Sequence, residues 1–198
     1  MITPALLASL EALVDDLWLW GPKTVGACHE AYGADALRLA TKREMVTRRQ
    51  VLNSRVIVLT GRGLYEFGYT KRYNYLPALT TLKASLVYRY ALHQLQTQGY
   101  TDPEPYSGYA AGLQNMAALK RGDETVVVIG RSELTLRTMY NVLNHFESLE
   151  ATEKPTQVLF YVLATKKEPA PGRKVIKGSD TAVVHVSVEE IRAVEREL

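Results

Sequence analysis

Between Arg38 and Arg72 the chain sets nine Lys or Arg residues against two acids, Glu44 and Glu66, a net charge of +7. The whole chain carries +3, so everything outside this segment sums to −4. The cations fall on a pattern. Arg38, Lys42 and Arg43 stand at i, i+4 and i+5, which on a helix makes one outward cationic face with Thr41 beside it. Thr47, Arg48 and Arg49 follow on a strand-like run, and Arg55 opens the next. Arg62 sits within LTGRGL, and Lys71 and Arg72 close the segment. Cationic side chains at this density suit phosphates, because each phosphate they neutralise releases a counterion, and the threonines can add hydrogen bonds. A basic helix followed by a basic hairpin can place one element in the major groove and rest the other on the backbone. The expected partner is double-stranded DNA, with Arg38, Thr41, Lys42, Arg43, Thr47, Arg48, Arg49, Arg55, Arg62, Lys71 and Arg72 as its contacts. Two alternatives stand beside it: a solvated basic face, and a surface for an acidic protein partner.

Other chemistry is sparse. His29, His93, His145 and His185 are scattered, with no partner at metal-ligand spacing. Cys28 adjoins His29, but adjacency in sequence does not pair a nucleophile with its base, and Cys28 reads as a small buried residue. The stretch VVVIGRSE has the strand–turn–helix order that can offer N–H groups to a phosphate, without the glycines of a nucleotide-binding loop. No catalytic residue, metal ligand or cofactor is therefore assigned.

The elements that must position the cations can be read from periodicity. Leu6, Leu10, Leu13, Val14 and Leu17 recur at helical spacing and predict a helix over 3–18. A short helix from Thr24 to Tyr32 follows, stopped by Gly33. A third, Ala36 to Arg43, is expected with Asp35 as its cap. Met45–Gln50 and Arg55–Thr60 are strand candidates around the turn residues Leu52-Asn53-Ser54. Three helices and a two-stranded wing are the order of a winged helix-turn-helix. A tyrosine-rich stretch leads to a long helix over 80–98; nine of the twelve tyrosines lie between Tyr65 and Tyr109, and Tyr88 and Tyr90 are expected in a core or interface. TDPEPYSG (101–108) reads as a turn-rich stretch.

Beyond it the pattern predicts a strand at Glu124–Ile129 and a helix over about 133–149 capped by Ser132, with Leu136, Met139, Tyr140, Leu143 and Phe146 on one stripe. Strands are expected at Gln157–Leu163 and Ala182–Val186, with a loose KKEPAPGRK (166–174) between them. Ser187 and Glu190 form a capping box for a last helix. The expected fold class is α/β (α+β): a winged-helix domain over 1–78 and, entered through the long helix, a small α/β domain with a central sheet over 79–198. At 198 residues the chain can bury such cores.

The hydrophobic content is 46%, and no apolar run approaches the roughly 18–20 residues of a membrane helix. MITPALLASLEALVDDLW lacks a basic leader and carries acids after its apolar part, unlike a signal peptide. One cysteine cannot make an internal disulfide and suits a reducing cytoplasm, the expected location. A homodimer is expected, since winged-helix proteins often pair to reach two half-sites.

The order of parts resembles the replication-relaxation family of plasmid and mobile-element proteins. The resemblance rests on Leu59-Thr60-Gly61-Arg62-Gly63, an LT-x-x-G phrase at the end of the wing. It extends through the helix LKASLVYRYALHQLQTQGY to a sheet domain similar to PD-(D/E)xK nucleases. That resemblance implies a protein of replication control or transcription regulation. A nuclease of that type needs one acid before the central hairpin and an acid-x-Lys on the next strand, to hold a divalent ion and activate water. This chain has Gly112-Leu113-Gln114-Asn115-Met116 and Val128-Ile129-Gly130-Arg131 in those places, with no carboxylate. The resemblance thus implies a nuclease-like domain without cleavage chemistry. The alternative is a metal-dependent nuclease that uses Asp123 and Glu124.

Overall fold

A computed structural model describes residues 3–69, 76–106, 115–164, 172–175 and 180–194. The architecture is mixed α+β, in two compact units: Met1–Leu86 with Arg192–Leu198, and Val87–Ile191.

In the first unit, α1 (Pro4–Trp20) starts at Thr3, whose hydroxyl caps the Leu6 N–H, and buries Leu10, Leu13, Val14 and Leu17. A two-residue strand, β1 (Lys23–Thr24), precedes α2 (Val25–Lys42), which Thr24 caps through the Ala27 N–H. Gly33 breaks α2 with φ 81° and ψ 156°, so the two helices expected from sequence are present on either side of a kink. Asp35 was expected to cap the second of them; its carboxylate instead accepts from the Arg38 guanidinium at 2.9 Å. The helix ends in a Schellman motif, with the Met45 N–H on the Ala40 carbonyl and the Glu44 N–H on that of Thr41. Glu44 occupies the left-handed position at φ 58°, where glycine is usual.

The hairpin of β2 (Val46–Val51) and β3 (Ser54–Leu59) turns on Leu52-Asn53, both at positive φ (50° and 67°), the pattern of a two-residue type I′ turn. β1 joins β3 from the other side, giving an antiparallel sheet of order β1-β3-β2. One face of the sheet, through Val46, Ile57 and Leu59, closes the core with α1 and α2, where Cys28 is fully buried. The other, through Val51, Val56 and Val58, packs on Leu82 and Leu86. The LTGRGL phrase folds as a short helix, α3 (Gly61–Glu66), which the periodicity did not reveal.

The helix α4 (Leu79–Thr97) ends in a second Schellman motif at Gly99, and Tyr88 and Tyr90 are buried on it. The second unit holds a six-stranded sheet of order β4-β5-β6-β7-β9-β8. Its strands are β4 (Thr101–Pro105), β5 (Met116–Arg121), β6 (Glu124–Arg131), β7 (Gln157–Leu163), β8 (Gly172–Val175) and β9 (Thr181–Val186). β4, β5 and β6 run antiparallel as a meander, β6, β7 and β9 are parallel, and β8 pairs antiparallel at the edge. Three strands correct the sequence expectation: β4 in the supposed turn stretch, β5, and β8 inside the supposedly loose segment. α5 (Leu136–Glu147) is capped by Thr135, whose hydroxyl accepts the Thr138 N–H, and not by Ser132. Its expected stripe also divides: Phe146 is buried and Met139 and Leu143 are half-buried, while Leu136 and Tyr140 are exposed, and Val142, outside that stripe, is fully buried. α6 (Val188–Ala193) has the expected capping box, with the Glu190 N–H on Ser187 Oγ at 3.1 Å and the Ser187 N–H on Glu190 Oε2 at 2.7 Å. Among the described residues no helix is long and apolar enough to cross a membrane.

Candidate nucleic-acid interface

The kink at Gly33 and the hairpin bring separated cations together. Arg38, Thr41 and Lys42 from the second half of α2 line one concavity of about 490 Å³ with Arg48 of β2 and with His29 from the first half of α2. Arg38 is anchored to Asp35, and the Thr41 hydroxyl donates to the Leu37 carbonyl at 2.8 Å, which keeps both side chains oriented. His29 was not singled out from sequence. It precedes Arg38 by nine positions with no common periodicity, and the break at Gly33 is what joins them.

Pairing register sorts the hairpin cations. Arg48 lies opposite Ile57, on the face that carries the α1–α2 core, and Arg55 pairs with Gln50 on that same face. Thr47 and Arg49 lie opposite Val58 and Val56, on the face turned to Leu82 and Leu86. Arg48 and Arg49, neighbours in sequence, therefore point to opposite sides, as strand alternation requires. Arg43, the exposed C-cap residue, stands at the end of α2.

Arg62 is occupied. Its guanidinium donates to Glu44 at 2.9 Å and to Glu66 at 3.0 Å, so one cation takes up both acids of the basic segment. Among the described residues, Lys42, Arg43, Arg48, Arg49 and Arg55 enter none of the ion pairs. Lys71 and Arg72, also expected as contacts, lie outside the described residues.

The LT-x-x-G phrase holds this region in shape. The Thr60 hydroxyl accepts the Gly63 N–H at 3.2 Å, capping α3, and donates to the Glu44 carbonyl at 2.6 Å. The Thr60 N–H donates to the Met45 carbonyl at 3.0 Å. A Cβ on Gly63 would stand 2.3 Å from that same carbonyl oxygen. Thr60 and Gly63 thus pin the end of the hairpin to the end of α2, the two elements that carry the cations.

The positions weighed for nuclease chemistry are distinct from this. Gly112–Gln114 lie outside the described residues. On β6 a Cβ at Gly130 would meet the Tyr88 backbone nitrogen at 2.5 Å, so a carboxylate side chain has no room there. Asp123 is at the exposed turn between β5 and β6. Glu124 accepts from Arg121 at 2.8 Å and from the Tyr100 hydroxyl at 3.2 Å, and these bonds, the Arg121 one foremost, hold its carboxyl below the usual range. Among the described residues, no group of three or more His, Cys, Asp or Glu side chains converges as a metal site.

Neither the protein-family models nor the curated proteins compared with this chain match it.

Proposed function

We propose that this protein binds double-stranded DNA through its N-terminal unit, without cleaving it, as a regulator of replication or transcription. The observation that carries the proposal is the convergence of Arg38, Thr41, Lys42 and Arg48 on one concavity, next to cations that make no ion pair among the described residues. The order α1, β1, α2 broken at Gly33, β2, β3, with β3 central in the sheet, supports reading this unit as a winged helix. In that reading the second half of α2 enters the major groove and the Arg48–Arg55 face of the hairpin rests on the phosphates. The likeness to replication-relaxation proteins favours a plasmid, phage or mobile-element setting, in which the protein acts as a homodimer in the cytoplasm. The crowding of Gly130 by Tyr88 favours a sheet domain that has no cleavage chemistry.

The test is selection of bound fragments from a pool of random duplexes by the full chain, with and without magnesium. Recovery of intact duplex enriched in a common sequence supports the proposal. Fragments nicked only with magnesium would establish a nuclease, and capture of no duplex at low salt would refute DNA binding.

A further inference from the structure

We propose that the second unit binds a small organic cation, an amine or guanidinium on an aliphatic body, in a groove on the α4 face of the six-stranded sheet. The groove has a volume of about 530 Å³, within the range of about 300–1,000 Å³ of small-ligand sites. Leu159, Tyr161 and Val184 contribute to it from the sheet, and Tyr90 and Gln94 from α4.

Two observations point to an occupant, and neither depends on DNA binding. The first is Tyr90. It lines the groove, is only 8% exposed, and its hydroxyl makes no hydrogen bond among the described residues, while its ring meets that of Tyr161 edge-on at 6.4 Å. Buried phenol hydroxyls ordinarily have a partner, in protein or water, so this one is open to a group that enters the groove. Burial, and then the charge of nearby Glu190, push this phenol up from its ordinary value.

The second is the sign of the charge. Asp180 and Glu190 both line the groove. The Asp180 carboxylate makes no ion pair among the described residues, and Glu190 commits Oε2 to capping Ser187. Arg121, the only Lys or Arg among the described residues that line the groove, is already taken by Glu124 and lies over the Tyr100 ring at 4.4 Å. Among the described residues, a phosphate or carboxylate would meet these acids with no unpaired Lys or Arg beside them. An ammonium or guanidinium would meet two carboxylates in a groove lined by tyrosines.

Calorimetric titration of the full chain, free of nucleic acid, with agmatine and spermidine as probes and AMP as the anionic control tests this. One or both amines should bind and AMP should not. Asp180→Asn with Glu190→Gln, the latter retaining a capping side chain, should weaken amine binding by about tenfold or more. Tyr90→Phe, which keeps the ring, should weaken it by a smaller factor. If the double variant fails to fold, Asp180→Asn alone, at an exposed position, carries the comparison. No heat with either amine, equal affinity in wild type and charge variants, or preference for AMP would overturn the proposal.

Discussion

Gly63 presses against the Met45 carbonyl so closely that a methyl group there must move the end of the hairpin or the end of α2. Gly130 is equally confined by the Tyr88 backbone in the second unit. Gly63→Ala and Gly130→Ala should therefore each lower stability by about 1–3 kcal/mol, as overpacking does, read as a lower urea midpoint at unchanged slope. An unchanged midpoint would mean that the neighbouring backbone relaxes at little cost. Tyr69 is a titratable case. It stacks on Trp18 at 5.0 Å and donates to Asp15, and burial, then that carboxylate, push its hydroxyl from 10.0 to about 12. The folded state holds this proton more tightly than the unfolded one, so the contribution is complete below pH 10.0 and is lost as pH rises towards about 12. Urea midpoints followed across that interval should fall more steeply for the wild type than for Tyr69→Phe; parallel curves would contradict the assignment.

At the scale of elements, the hairpin decides which cations act together. Arg48 and Arg55 share the face next to α2, and Arg49 lies on the opposite one. Arg48→Ala and Arg55→Ala should each flatten the salt dependence of duplex binding by about 0.9 in log–log slope, and Arg49→Ala by clearly less. Equal effects from Arg48 and Arg49 would rule out the α2-side face as the contact. The hairpin itself was legible in sequence because β-branched residues flank an Asn-containing turn. The helices on either side of Gly33 were legible because glycine interrupts an apolar period. β5 was not, since MAALKR is built from residues that strands disfavour and owes its conformation to pairing with β4 and β6. β4 was hidden by Pro103 and Pro105, which an edge strand tolerates because it leaves N–H positions unpaired, and by the bulge between Thr101 and Glu104. The cations of the site were visible as a cluster. Their division between two faces, the capture of Arg62 by Glu44 and Glu66, and the approach of His29 depend on register and on the Gly33 break, which composition does not encode.

For the whole molecule, charge is partitioned along the chain. Residues 1–86 hold eleven Lys or Arg against seven acids, whereas residues 87–191 hold eleven against twelve. The excess of positive charge therefore lies in the first unit, and residues 87–191 are near neutral. The most direct test is the salt dependence of binding by the full chain to a labelled duplex, followed by fluorescence anisotropy. With Arg38, Lys42, Arg43, Arg48 and Arg55 on phosphates, log K should fall against log salt with a slope of about −4 to −5. A Lys42→Ala, Arg48→Ala, Arg55→Ala variant that remains folded should flatten that slope by about 2.7. Absence of binding at low salt, or the same slope in the folded triple variant, would contradict the assignment of this face to DNA.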